Sequence, residues 1–361
     1  MNANTPGGSL IVASIATCVL ALLVACSADS TNDDASRVES FEKIFTVTDR
    51  VQLKASHDDP IGEVTSALSW NDNITVMDSY QGNVKVFDRQ GNLLETLGRA
   101  GQGPGEFLTP FAGAVLPDGS LAVLDSPRMF MSLFGQDGKF RTGWFVPGIM
   151  PGGVDAVEPG RLLVFARLVA DQKIASDYGA HLFTVDGKRL QSLRKDPPPV
   201  NRFQDGFTTL AGALVGHVVV STNWHHNVVH HHDLRTGREH SDTVGSAIYR
   251  SPDWPTRRFP SPEEATRWGA QQMWTSRIIA LDSLRYAVRF TSYDLSTKRP
   301  IYRYAIARTD GRTLAVTGAT GINLQAAVSG RVLATEEDDE GNVYASFLRL
   351  NERNVSAGDS R

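Results

Sequence analysis

One stretch of this chain is nearly written twice. Asp72-Asn-Ile-Thr-Val-Met-Asp78, followed by Val84-Lys-Val-Phe-Asp-Arg-Gln-Gly-Asn-Leu93, returns as Asp118-Gly-Ser-Leu-Ala-Val-Leu-Asp125 and then Met131-Ser-Leu-Phe-Gly-Gln-Asp-Gly-Lys-Phe140, at a period of 46 to 47 residues. Each unit is a set of short apolar strands that end at Asp or at an Asp-Gly turn. Such a unit has too little surface of its own to bury both faces, and radial stacking of four-stranded blades solves that problem.

The same rhythm can be followed along the chain. The first sets run over Glu63 to Trp70, Ile74 to Met77, Val84 to Phe87 and Leu93 to Leu97, then Phe111 to Val115, Leu121 to Leu124, Met129 to Phe134 and Phe140 to Phe145. A looser third set covers Val154 to Val157, Leu162 to Phe165, His181 to Val185 and Leu190 to Leu193. The fourth takes Phe207 to Leu210, Val218 to Thr222, Val228 to His232 and Glu239 to Val244. The fifth takes Thr275 to Leu281, Tyr286 to Thr291, Ile301 to Ala307 and Thr313 to Val316. Only three strands remain for the last set, Asn323 to Val328, Val332 to Glu336 and Val343 to Leu350, and Ile44 to Leu53 is expected to supply the fourth. Circular closure of this kind removes sheet edges that would invite aggregation. The expected fold is all-β: a six-bladed β-propeller of four-stranded antiparallel blades, closed by an N-terminal strand. Residues 251–272 interrupt it with four prolines, and Ser261-Pro-Glu-Glu264 reads as the cap of a short helix.

The start of the chain is of another kind. Leu10 to Ala25 is apolar except for Ser14 and Thr17, too short for a comfortable membrane span and placed where a secretory leader sits. Its end, Leu23-Val-Ala-Cys26, resembles the bacterial lipoprotein cleavage box. The resemblance implies a signal peptide over residues 1–25, lipid attachment at Cys26, a tether over 26–40, the propeller over 41–350 and a tail over 351–361. It also implies a bacterial cell-envelope location, outer membrane facing the periplasm, with the lipid bilayer as a partner. The leader lacks the Lys or Arg with which export signals normally begin. Beyond Cys18 and Cys26 there is no cysteine, so no disulfide, thiol nucleophile or thiolate metal site is available to the domain. The formal charge of -4 comes from 36 basic and 40 acidic residues scattered in sign, which argues against nucleic acid as a partner.

Leu97-Gly-Arg-Ala-Gly-Gln-Gly-Pro-Gly-Glu-Phe107 and Leu121-Ala-Val-Leu-Asp-Ser-Pro-Arg-Met-Phe130 resemble the NHL-type six-bladed β-propeller family, often found as bacterial lipoproteins. The resemblance covers roughly residues 60–145. It implies a binding scaffold, while some related propellers are lyases or lactonases that use metal ions in the central channel. Read physically, the glycines permit backbone angles closed to other residues, Glu106 accepts loop N–H groups and Phe107 plugs the core. No Lys-Ser/Thr pair follows, so this is not a phosphate-binding loop.

Trp224-His-His-Asn-Val-Val-His-His-His-Asp233 concentrates five of the nine histidines within eight residues. In a hairpin turning near Asn227, His230 and His232 share one face and His231 points to the other. His230 and His232, with His226 or His225 across the turn, are the candidate ligands for Zn²⁺ or a similar ion. The acidic run Glu336 to Glu340 is the candidate for Ca²⁺, although its spacing lacks a defined ligand loop. Asp78 and Asp125 are expected to accept turn N–H groups. No catalytic residue and no resident cofactor is assigned, because no nucleophile elbow or paired acid is legible.

The sequence therefore favours a membrane-anchored binding or scaffolding module over an enzyme. A monomer recognising an envelope protein, peptide or glycan is expected. The alternative is a metal-assisted hydrolase or lyase with its site in the propeller channel.

Overall fold

The computed structural model describes residues 37–126, 128–170, 173–174, 178–195, 210–223, 226–255 and 259–355. The leader and Cys26 lie outside them.

Six antiparallel sheets follow one another in chain order. From axis to rim, blade one is Val64–Trp70, Asn73–Asp78, Asn83–Phe87 and Leu93–Leu97. Blade two is Pro110–Val115, Leu121–Asp125, Phe130–Phe134 and Phe140–Phe145. Blade three is Gly148–Val157, Arg161–Ala170, Tyr178–Thr184 and Arg189–Lys195, with Lys173–Ile174 as a small addition. Blade four is Leu210–Val215, Val218–Asn223, Val228–Asp233 and Glu239–Thr243. Blade five is Trp274–Ala280, Arg285–Tyr293, Pro300–Arg308 and Thr313–Thr317. Blade six is Asn323–Val328, Arg331–Glu337, Val343–Leu350 and, from the other end of the domain, Phe45–Gln52.

Closure is direct. Phe45–Gln52 runs antiparallel to Val343–Leu350 in the register Phe45↔Leu350 to Gln52↔Tyr344. Val38–Glu39 adds a parallel edge to Thr313–Thr317 of blade five, and the short helix Phe41–Ile44 buries Phe41 and Ile44 between blades five and six. Each innermost strand packs on the next, and Asn323–Val328 packs back onto Val64–Trp70. The chain folds as a six-bladed β-propeller.

The core is divided accordingly. Each of six apolar clusters joins a pair of neighbouring blades, from Trp70, Val84 and Phe107 with Val123 and Phe134 between blades one and two, round to Leu333, Val343 and Phe347 with Ile74 and Phe87 between six and one. Middle strands are covered on both faces, which is why Asn83–Phe87 and Leu121–Asp125 are buried at every position, the polar Asn83, Lys85 and Asp125 included. In blade four the innermost strand is Leu210–Val215, where the sequence places Phe207 to Leu210; residues 201–209 lie outside the described set. Within that strand Gly212 sits against the Phe165 ring of blade three, where a Cβ would collide.

Between blades four and five, Pro262–Ala270 forms a helix capped by Ser261 Oγ, which accepts from Glu264 N at 3.3 Å. The Gly-rich connection before blade two behaves as read: Glu106 accepts from Gly103 N at 2.7 Å and from Arg99 Nε at 2.8 Å, and Phe107 is buried. Among the described residues no helix is long and apolar enough to cross a membrane.

Candidate metal centre

The outer hairpin of blade four turns at Asp233-Leu-Arg-Thr-Gly-Arg238. Asp233 N donates to Arg238 O, and Asp233 Oδ1 accepts from Arg235 N and Thr236 N. That turn sets the register His230↔Ser241, His231↔His240 and His232↔Glu239. Side chains alternate along a strand, so His231, His240 and Asp242 share one face while His230, His232, Ser241 and Glu239 share the other.

The two faces differ in chemistry. His230 Nδ1 lies 2.7 Å from Ser241 Oγ, and His232 Nδ1 lies 2.6 Å from Glu239 Oε1, both on the solvent-facing side. His231 is turned inward against blade five and its side chain is fully buried. Its ring stacks on His240, with centroids 4.3 Å apart and planes 8° from parallel. Its Nε2 is 2.9 Å from Tyr286 Oη.

His231 Nδ1 and His240 Nε2 both look toward Asp242 Oδ2, at 3.6 and 3.5 Å. All three atoms are buried and none has a hydrogen-bond partner. The ligand atoms lie within 4.8 Å of one another. Burying a carboxylate oxygen beside two bare ring nitrogens is costly unless something bridges them. A divalent ion with ligand bonds of about 2 Å does so, because ligand atoms around such an ion are separated by about 3.5 Å. Blade five closes over the carboxylate with the turn at Gly311, whose φ is +91° and where a Cβ would overlap Asp242 Oδ2.

Burial, reinforced by the neighbouring His240 and His230, drives the His231 pKa down to about 3, so the ring is a neutral imidazole at ordinary pH. Burial also pushes the Tyr286 hydroxyl up, so it stays protonated. Ligation through Nδ1 requires the proton on Nε2, where Tyr286 Oη accepts it; this is the orienting bond that metal-bound histidines usually make. The set is two nitrogens and one carboxylate, suited to Zn²⁺ and to other divalent transition metals.

The group that converges contains none of His226, His230 and His232. His226 Nε2 is 3.4 Å from Asn223 Nδ2, and His225 lies outside the described residues. Nor is the convergence in the channel: the cavity on the axis, of about 730 Å³, is lined by no histidine among the described residues, and its carboxylates are Glu63 and Asp155. The acidic run before Gly341 is already engaged. Asp338 accepts from Glu340 N, Asn342 N and Tyr344 Oη, Glu336 pairs with Arg50 at 2.5 Å, and Asp339 pairs with Arg299 at 2.7 Å. The expectation that the chain is more a binder than an enzyme is corrected by the His231, His240 and Asp242 group, a His₂-carboxylate set able to hold a metal ion and hence to support chemistry.

Comparison with known proteins agrees on architecture. The family model described as DUF5128: 6-bladed beta-propeller matches residues 29–140. No curated protein matches the sequence. A candidate exported protein of Bacteroides fragilis is similar in structure, with TM-score 0.60 at 14% identity over 88% of this chain and 98% of that one. A DUF4221 family member from Bacteroides vulgatus is similar at TM-score 0.60 and 8% identity, over 86% and 99%. What the chain shares with these proteins is the six-bladed propeller itself.

Proposed function

We propose that this protein is a metal-assisted hydrolase or lyase whose divalent ion is held by His231, His240 and Asp242 at the interface of blades four and five. One observation carries the reading: three ligating atoms from one sheet face converge, buried, with nothing to bond to. Three protein ligands leave a further coordination position on the ion, as in catalytic zinc sites. A bound ion would supply Lewis acidity and a water of lowered pKa. The chain's own contribution is to hold His231 neutral, to orient it through Tyr286 and to present Asp242 beneath the Gly311 turn.

Calorimetric titration of the purified protein with Zn²⁺, Mn²⁺ and Ca²⁺ tests the site, followed by turnover assays on lactone, ester and amide substrates with and without metal. One ion bound per chain, lost in His240→Ala, and metal-dependent turnover are expected. Absence of stoichiometric binding sinks the centre; binding without turnover on any substrate sinks the enzyme.

We also infer that the protein is exported and lipid-anchored through Cys26 at the bacterial envelope, as an NHL-type propeller lipoprotein acting as a monomer on an envelope protein, peptide or glycan. The apolar leader ending in Leu23-Val-Ala-Cys26, the Gly-rich Arg99 to Phe107 element and the likeness to a candidate exported protein support this. Labelled palmitate should enter the wild type and not Cys26→Ser; labelling of neither removes the anchor.

A further inference from the structure

The propeller axis holds an electrostatic mismatch unrelated to the metal centre. Arg277 on the innermost strand of blade five and Arg289 on the strand beside it are directly opposite in register. Like charges facing each other across a strand pair are destabilising. Both line the channel cavity. The register shifts between Thr275 and Arg277, and such a bulge re-aims the side chains around it.

Neutral oxygens hold the two guanidinium groups. Arg277 donates through Nη1 to Gln325 Oε1 at 2.8 Å and Thr65 O at 3.2 Å, and through Nη2 to Ser66 Oγ at 2.9 Å. Arg289 donates through Nε to Ser276 Oγ at 2.9 Å and through Nη1 to Asn323 Oδ1. Among the described residues neither forms an ion pair with a carboxylate. Asp155 is felt by Arg277 only at a distance, and its Oδ2 accepts Leu214 N at 2.6 Å. Glu63 accepts from Ser79 Oγ at 2.8 Å.

These bonds position the cations without neutralising them. Burial and the repulsion of Arg289 draw the Arg277 pKa down to about 10, which leaves it charged in neutral solution. Arg289 lies over the Tyr302 ring, 5.2 Å from its centroid, and bonds Asn323 of blade six, but none of these partners carries a charge that offsets the repulsion between the two guanidinium groups. An anion between them removes that cost, and only part of each donor set is in use. Ser66, Ser276, Thr291, Asn323 and Gln325 surround the pair with hydroxyl and amide groups, which match a hydroxylated molecule better than a bare inorganic ion.

We infer that the channel is a binding site for a small hydroxylated carboxylate, of the acidic-monosaccharide or hydroxy-acid class, whose carboxylate sits between Arg277 and Arg289. The full protein, freed of metal by dialysis and kept at constant ionic strength in chloride, is titrated calorimetrically with glucuronate, gluconate and lactate, then with glucose and sulfate. At least one hydroxylated carboxylate should bind one per chain and at least tenfold tighter than glucose or sulfate. Arg289→Met, shown by its melting temperature to be folded at the titration temperature, should weaken that binding at least tenfold. Arg277 also bridges blades, so Arg277→Lys is the companion variant, keeping the charge and losing the planar fork, with a similar loss of affinity expected. The site is overturned if none of the carboxylates binds, if sulfate or glucose binds as tightly, or if neither variant weakens binding. Because metal is absent throughout, this result stands apart from that at His231.

Discussion

Blades one and two and blade four treat a strand-borne aspartate in opposite ways. Asp78 and Asp125 close the second strands of their blades, fully buried, and each is saturated by backbone donors. Asp78 accepts Gly62 N at 2.7 Å, Glu63 N at 3.1 Å and Gln81 N at 3.1 Å; Asp125 accepts Leu108 N and Thr109 N, both at 2.9 Å. Asp242 Oδ2 is buried as well, yet it faces two histidine nitrogens and bonds to neither. The same residue type is a structural clasp where the backbone satisfies it and a candidate ligand where nothing does. Hydrogen-bond satisfaction, and not residue identity, separates the two roles.

The largest expected effect breaks the clasp. Asp78→Ala removes a buried carboxylate that accepts three backbone N–H groups and should cost about 3 to 5 kcal/mol, read as a lower midpoint in urea with unchanged slope. Asp242→Asn should leave the metal-free stability within about 1 kcal/mol of wild type, because no hydrogen bond is lost. The two aspartates exchange places in a metal titration. Excess Zn²⁺ at about a thousand times its Kd should stabilise the wild type by about 4 kcal/mol and Asp242→Asn far less, as thermal melts with and without the ion would record. Equal metal stabilisation in both proteins would erase the distinction between the two aspartates.

That difference also marks how far the sequence could be read. The fold was legible because the Asp72 to Leu93 unit repeats at Asp118 to Phe140 and because β-branched and apolar residues recur through the strands at a steady spacing. Ile44 to Leu53 could be assigned to the last blade because blade six was one strand short. The metal centre was only half legible. Strand alternation puts His231 on the face opposite His230 and His232, but the nearest histidines in sequence, His225 and His226, lie across the turn and not on the rim strand. His240 and Asp242 lie on the rim strand, whose Glu-His-Ser-Asp-Thr composition carries little strand signal. One cue was present: the Asp233 to Arg238 turn sets the register, and counting back from it pairs His231 with His240. That the three atoms lack partners depends on Tyr286 and Gly311 of the next blade, about which no local pattern informs. The arginine pair was missed for a related reason, since its members stand on adjacent strands whose register shifts by one residue at Ser276.

A second contrast sets Asp155 beside Asp78. Asp155 is half-buried at the channel with one backbone donor in place of three, and its desolvation raises its pKa to about 6, with the Leu214 N–H and Arg277 only partly opposing. Its folded pKa is above the unfolded value of 3.8, so its favourable contribution is complete below pH 3.8 and is lost as pH rises through about 6. Asp155→Asn keeps an acceptor for Leu214 and removes the desolvated charge. It should therefore stabilise the protein by about 1 to 3 kcal/mol at pH 8 and by almost nothing at pH 4, measured by urea unfolding at both values. A gain independent of pH would mean that the desolvated charge is not its source.

The smallest expected effect is the most discriminating, because it compares two faces of one strand. His232 bonds Glu239 and His230 bonds Ser241 at the surface, where such pairs contribute about 0 to 1 kcal/mol. His230→Ala and His232→Ala should each shift stability by less than about 1 kcal/mol and leave both the stoichiometry and the affinity of metal binding unchanged. His231→Ala, one residue away, should abolish stoichiometric binding, since it removes the buried nitrogen that Tyr286 orients. Its loss of a packed ring also lowers stability, so His231→Gln, which retains volume and polarity, is the control that separates ligation from packing. If metal affinity falls in His230→Ala or His232→Ala as far as in His231→Gln, the ion sits on the solvent face of the hairpin, and the unpartnered atoms beneath it belong to packing alone.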